Sequence, residues 1–254
     1  DLEKNEWRRL HDMPSSLTHM NAVVDGNHIW YAGGFKDGYP GKVIDEVWRY
    51  DVKTDSFTAG PPLPEPRAGG GLARVGRTLH YISGLIHDRD TDSPDHWTLN
   101  LDNENATWNP ASPMPEGRNQ FATVVLNDRI YIIGGQFKHD STSGKPALDQ
   151  PTVDIYYPAT QTWSKGPDLP VAHSHAEGAA FADDGRIYVI GGRSKTAMQD
   201  SVWVLEDGAW KTIATLPEPR LGPAARIING KLIVAGGSFP GLEPQPEVWI
   251  RELG

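Results

Sequence analysis

Cysteine is absent from the 254 residues, which removes disulfides, thiol nucleophiles and thiolate metal ligands together. No apolar run approaches the roughly 20 residues that a membrane-crossing helix requires. The 24 Lys and Arg are scattered through a chain of formal net charge −9, so there is no basic patch of the kind that grips nucleic acid. Helix-forming stretches are scarce too. In their place 27 Gly and 21 Pro punctuate short segments of alternating apolar and polar residues, the pattern of strands joined by tight turns. The composition points to an all-β protein.

What is present is a repeat. Five apolar segments end in a doublet, at Gly33-Gly34, Ser83-Gly84, Gly134-Gly135, Gly191-Gly192 and Gly236-Gly237, with successive first residues 50, 51, 57 and 45 apart. An aromatic segment follows each: Val47-Trp48-Arg49-Tyr50, His96-Trp97-Thr98-Leu99, Asp154-Ile155-Tyr156-Tyr157, Val202-Trp203-Val204-Leu205 and Val248-Trp249-Ile250-Arg251. Then come Phe57, Trp108, Trp163 and Trp210, each leading to a proline stop at Leu63-Pro64, Met114-Pro115, Leu169-Pro170 or Leu216-Pro217. The fifth such outer segment is missing at the C-terminus and has its counterpart at the other end, where Trp7-Arg8-Arg9-Leu10 leads to Met13-Pro14. The expected fold is therefore a five-bladed propeller of four-stranded blades, with the N-terminal strand closing the last and leaving no open sheet edge. All of residues 1–254 are used, so one domain is expected.

A period near 50 with Gly-Gly doublets resembles the kelch repeats of galactose-oxidase-like propellers. That resemblance covers nearly the whole chain and implies the fold, not the function. Kelch propellers include substrate adaptors, sialate mutarotases and oxidases. The copper-radical chemistry of galactose oxidase needs a Tyr-Cys crosslink, which a chain without cysteine cannot form. Plant specifier proteins hold ferrous iron with a Glu-x3-Asp-x3-Asp loop. Here Asp88 and Asp92 stand four apart, but Gly84 occupies the place of the Glu.

Candidate site residues follow from the alignment of repeats. The first hairpins are terse and the loops after each doublet are long and dissimilar, so function is expected on the face that carries those loops. Leu17, Arg67, Arg118, His173 and Arg220 occupy equivalent places at the start of each innermost strand, and His19, Gly69, Gln120, His175 and Gly222 stand two residues later. An alternation of two would keep both sets on one side, at the channel mouth. The loops add Asp88, Arg89, Gln136, His139 and Asp140, and the inner strands add Asn119. Six of the nine His, namely His19, His87, His96, His139, His173 and His175, map to this face, whereas His11, His28 and His80 lie elsewhere.

Two classes of function fit. In the first, His19, His175 and Arg118 act on a carbohydrate, as in an epimerase, mutarotase or lyase. Arg67, Asp88, Arg89, Asn119, Gln136, His173 and Arg220 bind the sugar, and the arginines suit an anionic one. His19, His139 and His175, with Asp88, Asp140 or His173 in addition, could hold copper, zinc or iron. The second class is a non-catalytic module that grips a glycan or a partner protein. The start at Asp1 fits a mature secreted or periplasmic protein. Gly69-Gly70-Gly71 leaves room at the axis for a ligand or for Phe121.

Overall fold

The repeats fold as sheets because each pairs two strongly apolar strands through a turn its sequence can form. The computed structural model describes residues 4, 6–38, 41–139, 147–195, 197–239 and 243–252; Asp1 and Asp140 lie outside the described residues. The first sheet comprises Asn21–Asp25, His28–Ala32, Val47–Asp51 and Ser56–Ala59, and the second Gly71–Val75, Thr78–Ile82, His96–Asn100 and Asn109–Pro110. The third comprises Ala122–Leu126, Arg129–Ile133, Val153–Tyr157 and Thr162–Lys165, and the fourth Ala180–Asp183, Arg186–Ile190, Ser201–Glu206 and Ala209–Thr215. The fifth has three strands, Ala224–Ile228, Lys231–Ala235 and Val248–Glu252. All are antiparallel in sequence order. Their first turns place Asn127-Asp128, Asp184-Gly185 and Asn229-Gly230 at positive φ, the two-residue geometry that matches strand twist.

Packing between the sheets makes the core. Four clusters of buried residues each join successive sheets: Trp30 and Leu63 with Trp97 and Trp108, Ala73 and Ile82 with Ile130 and Tyr156, Val153 and Ile155 with Val189 and Trp203, and Tyr188 and Val204 with Leu232 and Val234. No such cluster joins the fifth sheet to the first among the described residues. The outer tryptophans span the same interfaces, the indole N–H of Trp108 donating to Pro61 O, that of Trp163 to Ser112 O and that of Trp210 to Pro167 O.

The glycine doublets hold neighbouring sheets together. At Gly33 (φ +65°) a Cβ would lie 2.4 Å from the carbonyl of Arg67 in the next repeat, and Gly34 N–H donates to that same carbonyl at 2.8 Å. Gly84, Gly135 and Gly192 donate in the same way to Arg118, His173 and Arg220. In the degenerate doublet Ser83 sits at φ 58°, and its hydroxyl donates to Arg118 O and accepts from Arg118 N–H.

The expected closure by the N-terminal strand is corrected. Trp7–Leu10 forms no strand, Trp7 is 86% exposed, and the segment runs beside the first sheet, where His11 N–H donates to Asp55 Oδ1 at 2.9 Å. The edge it was expected to pair with, Val248–Glu252, belongs to a sheet that no buried core cluster joins to the first among the described residues. At Gly71 the space is filled by Thr123 and Phe121, since a Cβ there would sit 2.4 Å from Thr123 Oγ1 and 2.7 Å from the Phe121 ring, whereas Gly69 lines a cavity at the channel mouth.

Candidate functional site

The channel mouth is built by a backbone feature that alternation hides. His19, Gly69, Gln120, His175 and Gly222 all adopt positive φ, between 54° and 65°, which costs a non-glycine residue roughly 1–2 kcal/mol. A chain of hydrogen bonds links these positions: Gly69 N–H to His19 O (2.8 Å), Gln120 to Gly69 (2.9 Å), His175 to Gln120 (3.1 Å) and Gly222 to His175 (3.1 Å). The break in alternation separates the two sets of aligned residues. His19, Gln120 and His175 line a mouth cavity of about 280 Å³ with Met20, Asn21 and Glu177. Below it a second cavity of about 580 Å³ runs between the innermost strands of all five sheets.

The other set turns into the blades. Arg67, Arg118 and Arg220, expected to ring the mouth, are buried and paired. Arg118, with no exposed surface, meets Asp154 Oδ2 at 2.7 Å and the carbonyls of Gly134, Ile132 and Thr152. Arg67 binds Asp95, Glu65 and Ser93 and lies over Trp97. Arg220 meets Glu218 and Glu247 between Phe239 and Trp249. His173 contacts Gly191 O at 2.6 Å and packs edge-on against Trp203. His96 is not at the mouth either: its Nε2 faces Nδ1 of His80 at 2.9 Å, beside Tyr156. None of these five residues reaches the cavity, so the catalytic role expected for Arg118 and the sugar-binding roles of Arg67, His173 and Arg220 are not supplied by this geometry.

At the mouth the imidazoles hold one another. His139 comes from the long loop of the third repeat and is placed by the second. Asp92 accepts from Asn119 Nδ2 and from Lys138 N–H, both at 2.7 Å, and His139 N–H donates to Arg89 O at 3.0 Å. Gln136 donates to Asn119 Oδ1 and accepts from Arg193. Arg89, stacked on Phe35, reaches His139 Nδ1 at 3.1 Å. Because arginine only donates, the neutral ring carries its proton on Nε2, which lies 2.9 Å from His19 Nε2 and 3.3 Å from the Gln120 amide. Asp88 is exposed and caps its own loop through Asp90 and Thr91 N–H.

His175 is oriented by a relay that sequence reading missed. Arg193 and the Ser174 hydroxyl both donate to Asp149 Oδ1, at 3.0 and 2.7 Å. Ser174 Oγ therefore accepts from His175 Nδ1–H at 2.7 Å, and Nε2 is left as an acceptor. Burial lowers all three imidazoles: His19 to about 4, with the Arg89 charge adding to it, His139 to about 2, and His175 well below its ordinary value. Burial acts oppositely on carboxyls, raising Glu177 to about 7 and Asp92 to about 6.

The described residues do not fit a metal ion. No three His, Asp or Glu side chains are grouped to hold one among them. The His19 and His139 nitrogens are at hydrogen-bond distance, and the His139 and His175 ring centres are 6.4 Å apart.

Sheets radiating around a channel, with innermost strands lining it, define a β-propeller. The kelch motif matches residues 16–64 and 117–170. The chain is 28% identical over 232 residues to the Kelch-like protein terF of Aspergillus terreus (strain NIH 2624 / FGSC A1156), covering 85% of this chain and 49% of that protein. It is 25% identical to Kelch-like protein 40 of Mus musculus, over 89% of this chain and 36% of that one. It is 27% identical to the Kelch repeat and BTB domain-containing protein 12 of Danio rerio, over 75% of this chain and 32% of that one. The chain thus spans half or less of these relatives' length. The solved structure of YjhT superposes with a TM-score of 0.81 at 15% identity, over 98% of this chain and 85% of that one, a likeness of fold. The chain carries kelch motifs and folds as a β-propeller. No helix among the described residues is long and apolar enough to cross a membrane.

Proposed function

We propose that the chain is a non-catalytic interaction module whose channel mouth grips a segment of a partner protein. The observation that carries this reading is the state of the mouth histidines. They are neutral, with His19 bonded to His139, His139 to Arg89 and His175 to Ser174, and burial holds them far below the neutral range in which a general acid or base works best. Ser174 is no nucleophile in this arrangement, since its hydroxyl donates to Asp149 and accepts from His175 rather than giving its proton to the imidazole. The similarity to Kelch-like and BTB-containing proteins supports the same reading.

What the mouth offers is neutral hydrogen bonding from His175 Nε2, Gln120 and Asn21 beside the apolar Met20 and Leu221, enough for one turn of a peptide. The test is partner capture by the wild-type chain against two charge variants. Met20→Arg, at the mouth, should abolish capture, whereas Asn127→Arg, in a first-hairpin turn on the opposite face, should leave it intact. Capture indifferent to Met20→Arg, or turnover of a sugar that disappears in His175→Ala, would overturn the reading.

A further inference from the structure

The fourth repeat departs from the others on its way into the channel. From the ring residue at the mouth to the end of the innermost strand there are six steps in the first, second, third and fifth repeats (19 to 25, 69 to 75, 120 to 126 and 222 to 228) and eight in the fourth (175 to 183). The extra length is taken up by a 3-10 turn, Glu177–Ala179, ahead of Ala180–Asp183. Where the other innermost strands begin with Asn21, Gly71, Ala122 and Ala224, this turn opens with a glutamate. Glu177 and Asn21 line both the mouth cavity and the channel below it, so they stand where the two meet.

Among the described residues Glu177 forms no ion pair. The charge that acts on it is that of Arg193, which is held by Asp149 Oδ1 at 3.0 Å and by Gln136. The arginines of the channel wall are engaged elsewhere, Arg74 with the carbonyls of Val24 and Gly76 and with Asp25, and Arg226 over the Phe181 ring. Burial without a counter-ion raises the carboxyl to about 7, a cost that an incoming cation would relieve. Two neutral acceptors line the same mouth: His175 Nε2, and Asn21 Oδ1, left open because Asn21 Nδ2 donates to Gly70 O.

We infer that the partner segment gripped at the mouth carries a lysine, whose ammonium enters the neck of the channel and pairs with Glu177. The inference rests on the reading of the mouth as an interaction site and names what that site selects. An ammonium brings three donors in a compact head, and Glu177, His175 Nε2 and Asn21 Oδ1 supply an acceptor each, while the apolar stem passes Met20 and Leu221. A guanidinium holds its five donors in one rigid plane, whereas these acceptors come from the first and fourth repeats and are spread around the channel. The chain's formal net charge of −9 draws a cationic segment towards it.

The probe is the peptide acetyl-Gly-Lys-Gly-amide, titrated into the full 254-residue chain and followed by backbone NMR. Shifts at His175, Glu177 and Gly178 are expected. The same peptide with Nε-acetyl-lysine or norleucine should bind more weakly by about tenfold or more, as should the lysine peptide to Glu177→Gln. This substitution keeps the side chain's size and removes a carboxyl that nothing in the chain pairs with, so its thermal unfolding should match or exceed wild type; a lower Tm would show that Glu177 has a partner inside the fold and would overturn the inference. So would absence of binding, equal binding of the acetylated peptide, tighter binding of the arginine analogue, or indifference to Glu177→Gln. Partner capture that responds to Met20→Arg but not to Glu177→Gln would remove the lysine and leave the mouth as the interaction site, whereas capture indifferent to both would remove the mouth as well.

Discussion

Alanine at Gly134 and at Gly236 separates backbone strain from contact between repeats, because the two positions share a conformation and differ in their neighbour. Their φ values are +64° and +67°, so both substitutions bear the same left-handed strain of roughly 1–2 kcal/mol. At Gly134 the new Cβ would stand 2.4 Å from His173 O, at least 1 Å inside ordinary contact. The fourth repeat must then move away, which lengthens the 2.8 Å bond from Gly135 N–H to that carbonyl. Overpacking of this kind costs about 1–3 kcal/mol and the hydrogen bond about 1. Gly134→Ala should therefore lose ~3–6 kcal/mol and Gly236→Ala, where the atom nearest the new Cβ would be Gln245 O at 3.7 Å, only ~1–2. In a domain of this size that is a difference of roughly 5–10 °C in Tm. Urea unfolding of both variants beside wild type decides the matter. Equal losses would refute the claim that the doublets are required by the neighbouring carbonyl.

Other outcomes follow from the buried polar groups. Arg118→Met should cost ~3 kcal/mol in urea unfolding, because it leaves Asp154, which has no exposed surface, with Lys165 as its remaining ion-pair partner; a loss under 1 kcal/mol would contradict it. Gly71→Ala should cost about 1–3 kcal/mol by driving a Cβ into Thr123 and Phe121, and a stabilised variant by thermal unfolding would show that the triple glycine is not packed as described. Stability should fall with acid. His96 and His173 are lowered by burial to about 4, so the folded state binds fewer protons than the unfolded one between about pH 6.5 and 4, and each withdraws ~2 kcal/mol by pH 5. Glu177 and Asp92 are raised to about 7 and 6; they act oppositely as pH falls, but the six lowered histidines outnumber them. Denaturant midpoints at pH 7.5 and 5.0 should show a net loss, and a gain would refute the reading.

The repeat was legible because its marks are backbone requirements. A glycine doublet at positive φ against a carbonyl leaves no substitute beyond the serine at position 83, and the outer tryptophans recur because each spans to the repeat before it. The mouth was half legible. His19, His139 and His175 do converge, but Arg67, Arg118, His173 and Arg220 were placed beside them on an alternation of two. His19, Gln120 and His175 break that alternation with positive φ, and nothing in a histidine or glutamine announces a left-handed backbone. The Asp149–Ser174–His175 relay was hidden because its carboxylate arrives from a loop 25 residues away. Closure through Trp7 failed for a related reason: the segment carries the pattern of an outer strand, but pairing depends on where the fifth sheet lies, which no local pattern encodes.

The most direct test of the non-catalytic mouth is a long-range proton–nitrogen NMR spectrum of the histidine side chains between pH 8 and 6. His19, His139 and His175 should stay neutral throughout, with the proton on Nε2 in His139 and on Nδ1 in His175. A mouth histidine that titrates with a midpoint between 6 and 7, or shows the opposite tautomer, would contradict the account and return acid–base chemistry to this site.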